Sequence, residues 1–219
     1  MVLVAGLDEA GRGAVLGPLV VAGVCTDQEG IEGLKELGVK DSKTLSADRR
    51  ESLSPRIRDL CKKIRIVRIP PEMIDQYVLR RKRLKRLNLL EAETMASITK
   101  KLRPQVAYVD SCDVNALRYG RTISKLAGNG IKIRSFHKAD VRFPIVSAAS
   151  IVAKVARDRE ISRLRDEYGD IGTGYPSDPK TIAFLKAWLR KESHPPICAR
   201  HSWSTFERLN PTLGDFPSV

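Results

Sequence analysis

Five apolar runs of strand length, unevenly spaced, constrain this chain more than any other feature. Residues 2–7 and the run "VLGPLVVAGVC" (15–25) follow each other too closely for a helix to intervene, so they are expected to pair directly. Pro18 stands near the start of the second run, where a missing N–H is tolerated. "IRIVRI" (64–69) alternates arginine with apolar residues, as a strand with one wet face does. "VAYVD" (106–110) and "IKIRSF" (131–136) are separated by helix-length segments and need helical crossovers. A helix is expected after Ser46, its N-cap, with Leu53, Ile57 and Leu60 at helical spacing. A second helical pattern runs from Glu72 to Leu102, broken once, with Leu84, Leu87, Met95, Ile98 and Leu102 on one stripe. Further helices are expected over 146–169 and about 178–191, the last before "SHPP". The sum is an α/β chain: a mixed central sheet flanked by helices. No repeat or low-complexity linker divides it.

Carboxylates stand where several of these runs stop. "VAGLDEAGRG" (4–13) ends its apolar stretch on Asp8 and Glu9, then keeps the backbone bare around Arg12. In a continuing strand these two side chains would point to opposite faces. A turn at "AGRG" is therefore expected to bring both to one site. Asp110 closes "VAYVD" in the same way, and Asp140 precedes the helix at 146. Taken singly, each acid also reads as a cap or a surface charge. Gathered at one sheet edge they would repel one another unless cations neutralised them, and hard divalent ions with oxygen ligands fit. Three histidines without an HxxxH spacing argue against zinc.

Charge narrows the choice. The chain carries 39 Lys and Arg against 26 Asp and Glu, a formal +13, which suits a polyanionic partner such as nucleic acid, although heat-adapted proteins are also highly charged. "LDEA" could serve a helicase-type ATPase, but no GxxxxGK[ST] loop accompanies it. A serine hydrolase lacks its elbow motif and nearby base, and a paired-carboxylate glycosidase sits poorly with the basic surface. The run "RRKRLKR" (80–86) reads equally as a solvated helix face or one that grips a duplex. Four scattered cysteines, the absence of a basic leader and the absence of a bilayer-length apolar stretch favour a reducing, cytoplasmic setting.

The ordered motifs "DEAGRG" (8–13), "DSK" (41–43), "YVDS" (108–111), "HKAD" (137–140), "SAASIVAK" (147–154) and "GYPSDP" (174–179) resemble those of ribonuclease HII in its archaeal form, over nearly the whole length. The resemblance implies an RNase H-like fold within a single domain 1–219. Its core would occupy about 1–168, a helical C-terminal extension about 169–209 and a tail 210–219. It implies endonucleolytic hydrolysis of the RNA strand of RNA/DNA hybrids, and cutting 5′ of ribonucleotides embedded in DNA, with two Mg²⁺ or Mn²⁺ ions and 3′-hydroxyl and 5′-phosphate ends. By motif, Asp8, Glu9, Asp110 and Asp140 would be the catalytic, metal-holding acids. Asp113, three residues past Asp110, is expected to cap a helix instead. Gly11, Arg12 and Gly13 would read the ribose 2′-hydroxyl, and Tyr175 would stack on the adjoining deoxyribose. Lys43, Lys138, Ser147 and Ser150 would meet phosphates. Asn210, Leu213 and Phe216 resemble a QxxLxxF sliding-clamp motif, with Asn for Gln and Pro217 where a second aromatic usually stands. A monomer is expected.

Overall fold

A computed structural model of the protein describes residues 2–39, 45–79, 86–192 and 194–209. A five-stranded sheet forms its centre. β1 (Val4–Ala10) and β2 (Leu19–Thr26) pair antiparallel, and β2 pairs antiparallel with β3 (Lys63–Ile69). β1 also pairs in parallel with β4 (Val106–Asp110), which pairs in parallel with β5 (Lys132–Phe136). The sheet order is β3-β2-β1-β4-β5. The short spacing of the first strands thus gives a direct antiparallel pair, and the later ones need crossovers, as expected.

Helices cover both faces. In chain order they are α1 (Gln28–Glu36), α2 (Ala47–Leu60), α3 (Pro71–Leu79), α4 (Arg86–Leu102), α5 (Ala116–Ala127), α6 (Ala139–Arg142), α7 (Pro144–Tyr168), α8 (Pro179–Lys191) and α9 (Ser204–Leu209). Strand alternation assigns the faces. Val20, Ala22 and Val24 of β2 join the core under α1, α2 and α7, whereas Leu19, Val21 and Cys25 join the core under α4 and α5. A third cluster, including Leu16, Ile161, Ile171, Leu185 and Phe206, binds the C-terminal helices to the loop after β1.

Two local features set the site's frame. The first turn of α7 lies directly on β1: a Cβ at Gly6 would stand 2.2 Å from the Ile145 carbonyl oxygen, so only glycine permits this approach. Ser46 caps α2 by accepting the Arg49 N–H at 3.2 Å, as its position in the sequence predicts. The helix over 28–36 was not expected. Its apolar residues are few, but Asp27 caps it, and Gly30 and Gly33 let it press against Thr26 and Leu60.

Candidate active site

Parallel pairing brings the first two acid positions together. β1 and β4 stay in register from Val4↔Val106 to Leu7↔Val109, which sets Asp8 level with Asp110 at the carboxyl ends of adjacent strands. Such ends are where open α/β sheets present ligands. β5 finishes beside them, with Phe136 in register with Asp110. The chain then turns through Lys138, exposed and in a left-handed conformation at φ 53°, into α6. The Ala139 N–H donates to Asp110 Oδ1 at 2.6 Å, which fixes the start of α6 on the end of β4. Asp140 follows at once and is buried.

The turn expected in "AGRG" forms only beyond Ala10, where the Ala14 N–H donates to the Gly11 carbonyl at 3.2 Å, too late to bring Asp8 and Glu9 to one face. β1 continues through Ala10, with Glu9 opposite Val21 and Ala10 opposite Val20, because the ladder to β2 holds the backbone extended. Asp8 therefore faces α7, where the Ser150 hydroxyl hydrogen-bonds to it, and Glu9 faces α4 and its Glu91. The acids surround a strand end rather than lining one face. They still feel one another. Burial, then the charge of Asp110, raises the Asp8 carboxyl to about 7 against the opposing hydrogen bonds from Ser150 and the Glu9 N–H, the latter at 2.8 Å. Glu9 is pushed well above the ordinary carboxylate range by burial, then by Asp8, Glu91 and Asp110. Glu9 Oε2 is shielded from solvent and has no hydrogen-bond partner among the described residues.

The bare loop after β1 is held from behind. Gly11 is buried at φ +83°, and a Cβ there would lie 2.5 Å from Arg157 Nε. Gly13 faces open space, with nothing within 4 Å of where a Cβ would stand. Arg12 reaches to α4: its Nε donates to Glu91 at 3.1 Å and its Nη2 to Asn88 Oδ1 at 2.6 Å. The Arg12 carbonyl accepts from Arg200 Nη1 at 2.9 Å, while Nε and Nη2 of the same fully buried Arg200 serve the Gly17 carbonyl. Arg157 donates to the Thr173 carbonyl at 2.8 Å and lies 4.5 Å from the ring centroid of Tyr175. One guanidinium thus stands between Gly11 and Tyr175 and couples the two loops.

Other expected residues fall as follows. Ser147 is fully buried and gives its hydroxyl to the Val39 carbonyl, so as folded it offers no surface to a phosphate. Ser150 is buried beside Asp8. Asp113 is not the helix cap: Asn115 caps α5, while Asp113 accepts the Asn115 N–H at 2.8 Å and pairs with Arg118. Lys43 and the clamp-type residues Asn210, Leu213 and Phe216 lie outside the described residues. Sequence reading missed Glu91, Arg157 and Arg200. Glu91 sits in the apolar stripe between Leu87 and Met95, and an acid there was a signal. Arg157 is seven residues past Ser150 on the same helix face, a second one. Nothing local marks Arg200.

The four acids offer oxygen ligands only, and Asp8 and Glu9 both resist ionisation there, so a hard divalent cation suits them. Among the described residues, no three Asp, Glu, His or Cys side chains close into a preformed metal cage.

Comparison with known proteins shows the family and the fold. The family model for ribonuclease HII matches residues 5–206. A ribonuclease HII of Cenarchaeum symbiosum is 48% identical over 201 residues, covering 92% of this chain and 95% of that one. The crystal structure of ribonuclease H2 from Pyrococcus horikoshii superposes with a TM-score of 0.88 at 39% identity, covering 98% of this chain and all of that one. RNase HII from Archaeoglobus fulgidus, solved in complex with PCNA, gives 0.84 at 44% identity over 92% of this chain and 95% of that one. A ribonuclease HIII bound to Mn²⁺, 19% identical with a TM-score of 0.74 over 98% of this chain and 70% of that one, shares the fold. With its strand-end acids, braced Gly-Arg-Gly loop and matched length, the chain belongs to the ribonuclease HII family.

Proposed function

We propose that this ribonuclease H hydrolyses the RNA strand of RNA/DNA hybrids and cuts 5′ of ribonucleotides embedded in duplex DNA, leaving 3′-hydroxyl and 5′-phosphate ends. One observation carries the reading: Asp8 and Asp110 lie level on adjacent parallel strands, close enough that the charge of Asp110 helps raise the buried Asp8 carboxyl, at the mouth of a loop with no side chain at Gly13. Asp8, Glu9, Asp110 and Asp140 would hold two Mg²⁺ or Mn²⁺ ions. The chemistry supplied by such ions when bound is activation of an attacking water and neutralisation of the leaving 3′-oxygen.

The chain's own groups do the positioning. The Glu9 N–H and Ser150 orient Asp8, and the Ala139 N–H orients Asp110. Arg200 and Arg157 brace the Gly-Arg-Gly backbone, so that it can approach a sugar without rearranging. A ribose hydroxyl both donates and accepts, and a loop shaped for it penalises deoxyribose by leaving polar groups unpaired. Tyr175, its ring resting on Arg157, offers its other face to an adjoining sugar. Lys138, exposed beside Asp140, is available to a phosphate, and Lys43 belongs to the same reading by motif. Three matched duplexes test it: one ribonucleotide in DNA, continuous RNA on DNA, and pure DNA. Cleavage of the first two, mapped 5′ of a ribonucleotide, with the third left intact, is the expected outcome.

A second role is sliding-clamp binding through Asn210, Leu213 and Phe216. It is supported by the clamp complex of the Archaeoglobus fulgidus relative.

A further inference from the structure

Positive charge is not spread evenly over this protein. Between Asp113 and Asp140 the sequence has no acidic residue and six Lys or Arg: Arg118, Arg121, Lys125, Lys132, Arg134 and Lys138. This segment is the crossover α5–β5 with its exit toward Asp140. Arg118, Arg121 and Lys125 are exposed and recur at helical spacing on one face of α5. Lys132 and Arg134 are exposed and share one face of β5. Arg118 is paired with Asp113, which leaves the charges of Arg121, Lys125, Lys132 and Arg134 without an acid in their own segment.

Helix and strand come close at Gly120, where a Cβ would stand 3.0 Å from Ser135 Cβ. Above that contact an open groove of about 370 Å³ runs between Leu117, Arg121 and Ser124 on one side and Arg134, Ser135 and Phe136 on the other. Its floor carries Ser135 Oγ, which has no hydrogen-bond partner among the described residues. β5 is the sheet's edge strand, so its outer line of backbone N–H groups faces no further strand. The groove also opens at the right place. Phe136 is level with Asp110, and its carbonyl accepts the Ser111 N–H at 2.9 Å, so the groove ends one strand away from the acids.

We infer that the α5–β5 groove binds the phosphodiester backbone of the nucleic-acid duplex flanking the cleavage point, with Arg121 and Arg134 as its phosphate contacts. The inference rests on the proposed hybrid cleavage for the identity of the duplex, and adds to it a path the motifs do not mark. Arg121 of α5 and Arg134 of the edge strand both line the groove, two serine hydroxyls stand there with them, and no carboxylate is among its lining residues, which suits a chain of singly charged phosphates. The groove reads backbone alone, so it strengthens binding to hybrid and plain DNA alike.

Equilibrium binding without divalent metal, across a KCl series, tests this independently of cleavage. The full-length chain is compared with Arg121→Gln/Arg134→Gln, and with Lys100→Gln/Lys101→Gln, which removes the same charge at the other end of the sheet. Losing two phosphate contacts should lower the slope of log affinity against log salt by about 2 and weaken binding to both duplexes roughly tenfold at moderate salt. With Mg²⁺, KM should rise while kcat holds. Leu117→Glu, at a side chain 65% exposed, places a carboxylate in the groove without disturbing the core and should weaken binding in the same direction. Slopes and affinities for the arginine pair equal to those of the lysine control, or an unaffected Leu117→Glu, would overturn the inference, including the case where the groove serves an acidic protein. Groove-dependent binding by a protein that cuts no ribose-containing duplex would sink the proposed activity and leave the groove standing.

Discussion

Asp8 experiences every force at the site, which makes its behaviour the sharpest residue-level test. Its carboxyl titrates near 7 in the fold against an ordinary 3.8, chiefly through burial and then Asp110. A raised folded pKa means the folded chain holds the proton more tightly than the unfolded one. In metal-free protein, stability therefore falls as pH rises from about 4 to 7, and the penalty stays in full above that. Asp8→Asn cannot ionise. It should match wild type in melting temperature at pH 4 and melt higher at pH 8 without metal, with Mg²⁺ narrowing the gap by stabilising only wild type. The same variant should lose cleavage by more than the roughly 10–100-fold that disturbing a supporting group costs, while hybrid binding persists. Equal melting curves at pH 8, or cleavage near the wild-type rate, would contradict the assigned role. Tyr175 tests specificity. Tyr175→Phe keeps the ring on Arg157, whereas Tyr175→Ala removes about 1 kcal/mol of aromatic contact, roughly fivefold in kcat/KM on an embedded single ribonucleotide. Identical rates for all three proteins would remove the tyrosine from the site.

Elements matter here through how they meet. β1 carries two of the acids near its end, α7 lies flat on it because position 6 has no side chain, and the C-terminal segment inserts Arg200 behind the loop between β1 and β2. Arg200 is the clearest lever at this level. Its planar guanidinium serves the Arg12 and Gly17 carbonyls together, which a lysine's single ammonium on a flexible stem does not reproduce. Arg200→Lys is expected to cost about 1–3 kcal/mol in urea unfolding, the penalty of a buried polar group left without its partner. It should also raise KM for ribose-containing duplex as the loop loosens. A variant unchanged in both measurements would show that the loop holds itself. The helix at 28–36 teaches the converse. Its small apolar face hid it in the sequence, and its glycines are used for close packing on Thr26 and Leu60 rather than for flexibility.

At the scale of the molecule, a formal +13 is resolved into a basic flank beside an acidic centre. Such a layout draws a polyanion toward acids that by themselves repel it. None of the helices is long and apolar enough to cross a membrane among the described residues. The tail adds one prediction. A chain ending at Leu209 should keep hybrid cleavage within about twofold and lose retention on immobilised cognate clamp; equal retention by both chains would dismiss the 210–216 motif.

Short-range order was written plainly in the residues. The "VAYVD" strand occupies 106–110 as its pattern predicts, Ser46 caps its helix, and six motifs in order identify the family. These are local matters, governed by side-chain alternation, capping chemistry and covalent neighbours. Which way Glu9 faces could not be read so, because the answer lies in hydrogen bonds to a different strand, Val21 opposite Glu9, that keep the backbone extended through Ala10 and delay the turn to the glycines. Nor could the buried guanidinium of Arg200 be read so, since its acceptors are 183 and 188 residues away along the chain. Long-range pairing chooses among conformations that a local stretch allows about equally, and folding alone makes that choice.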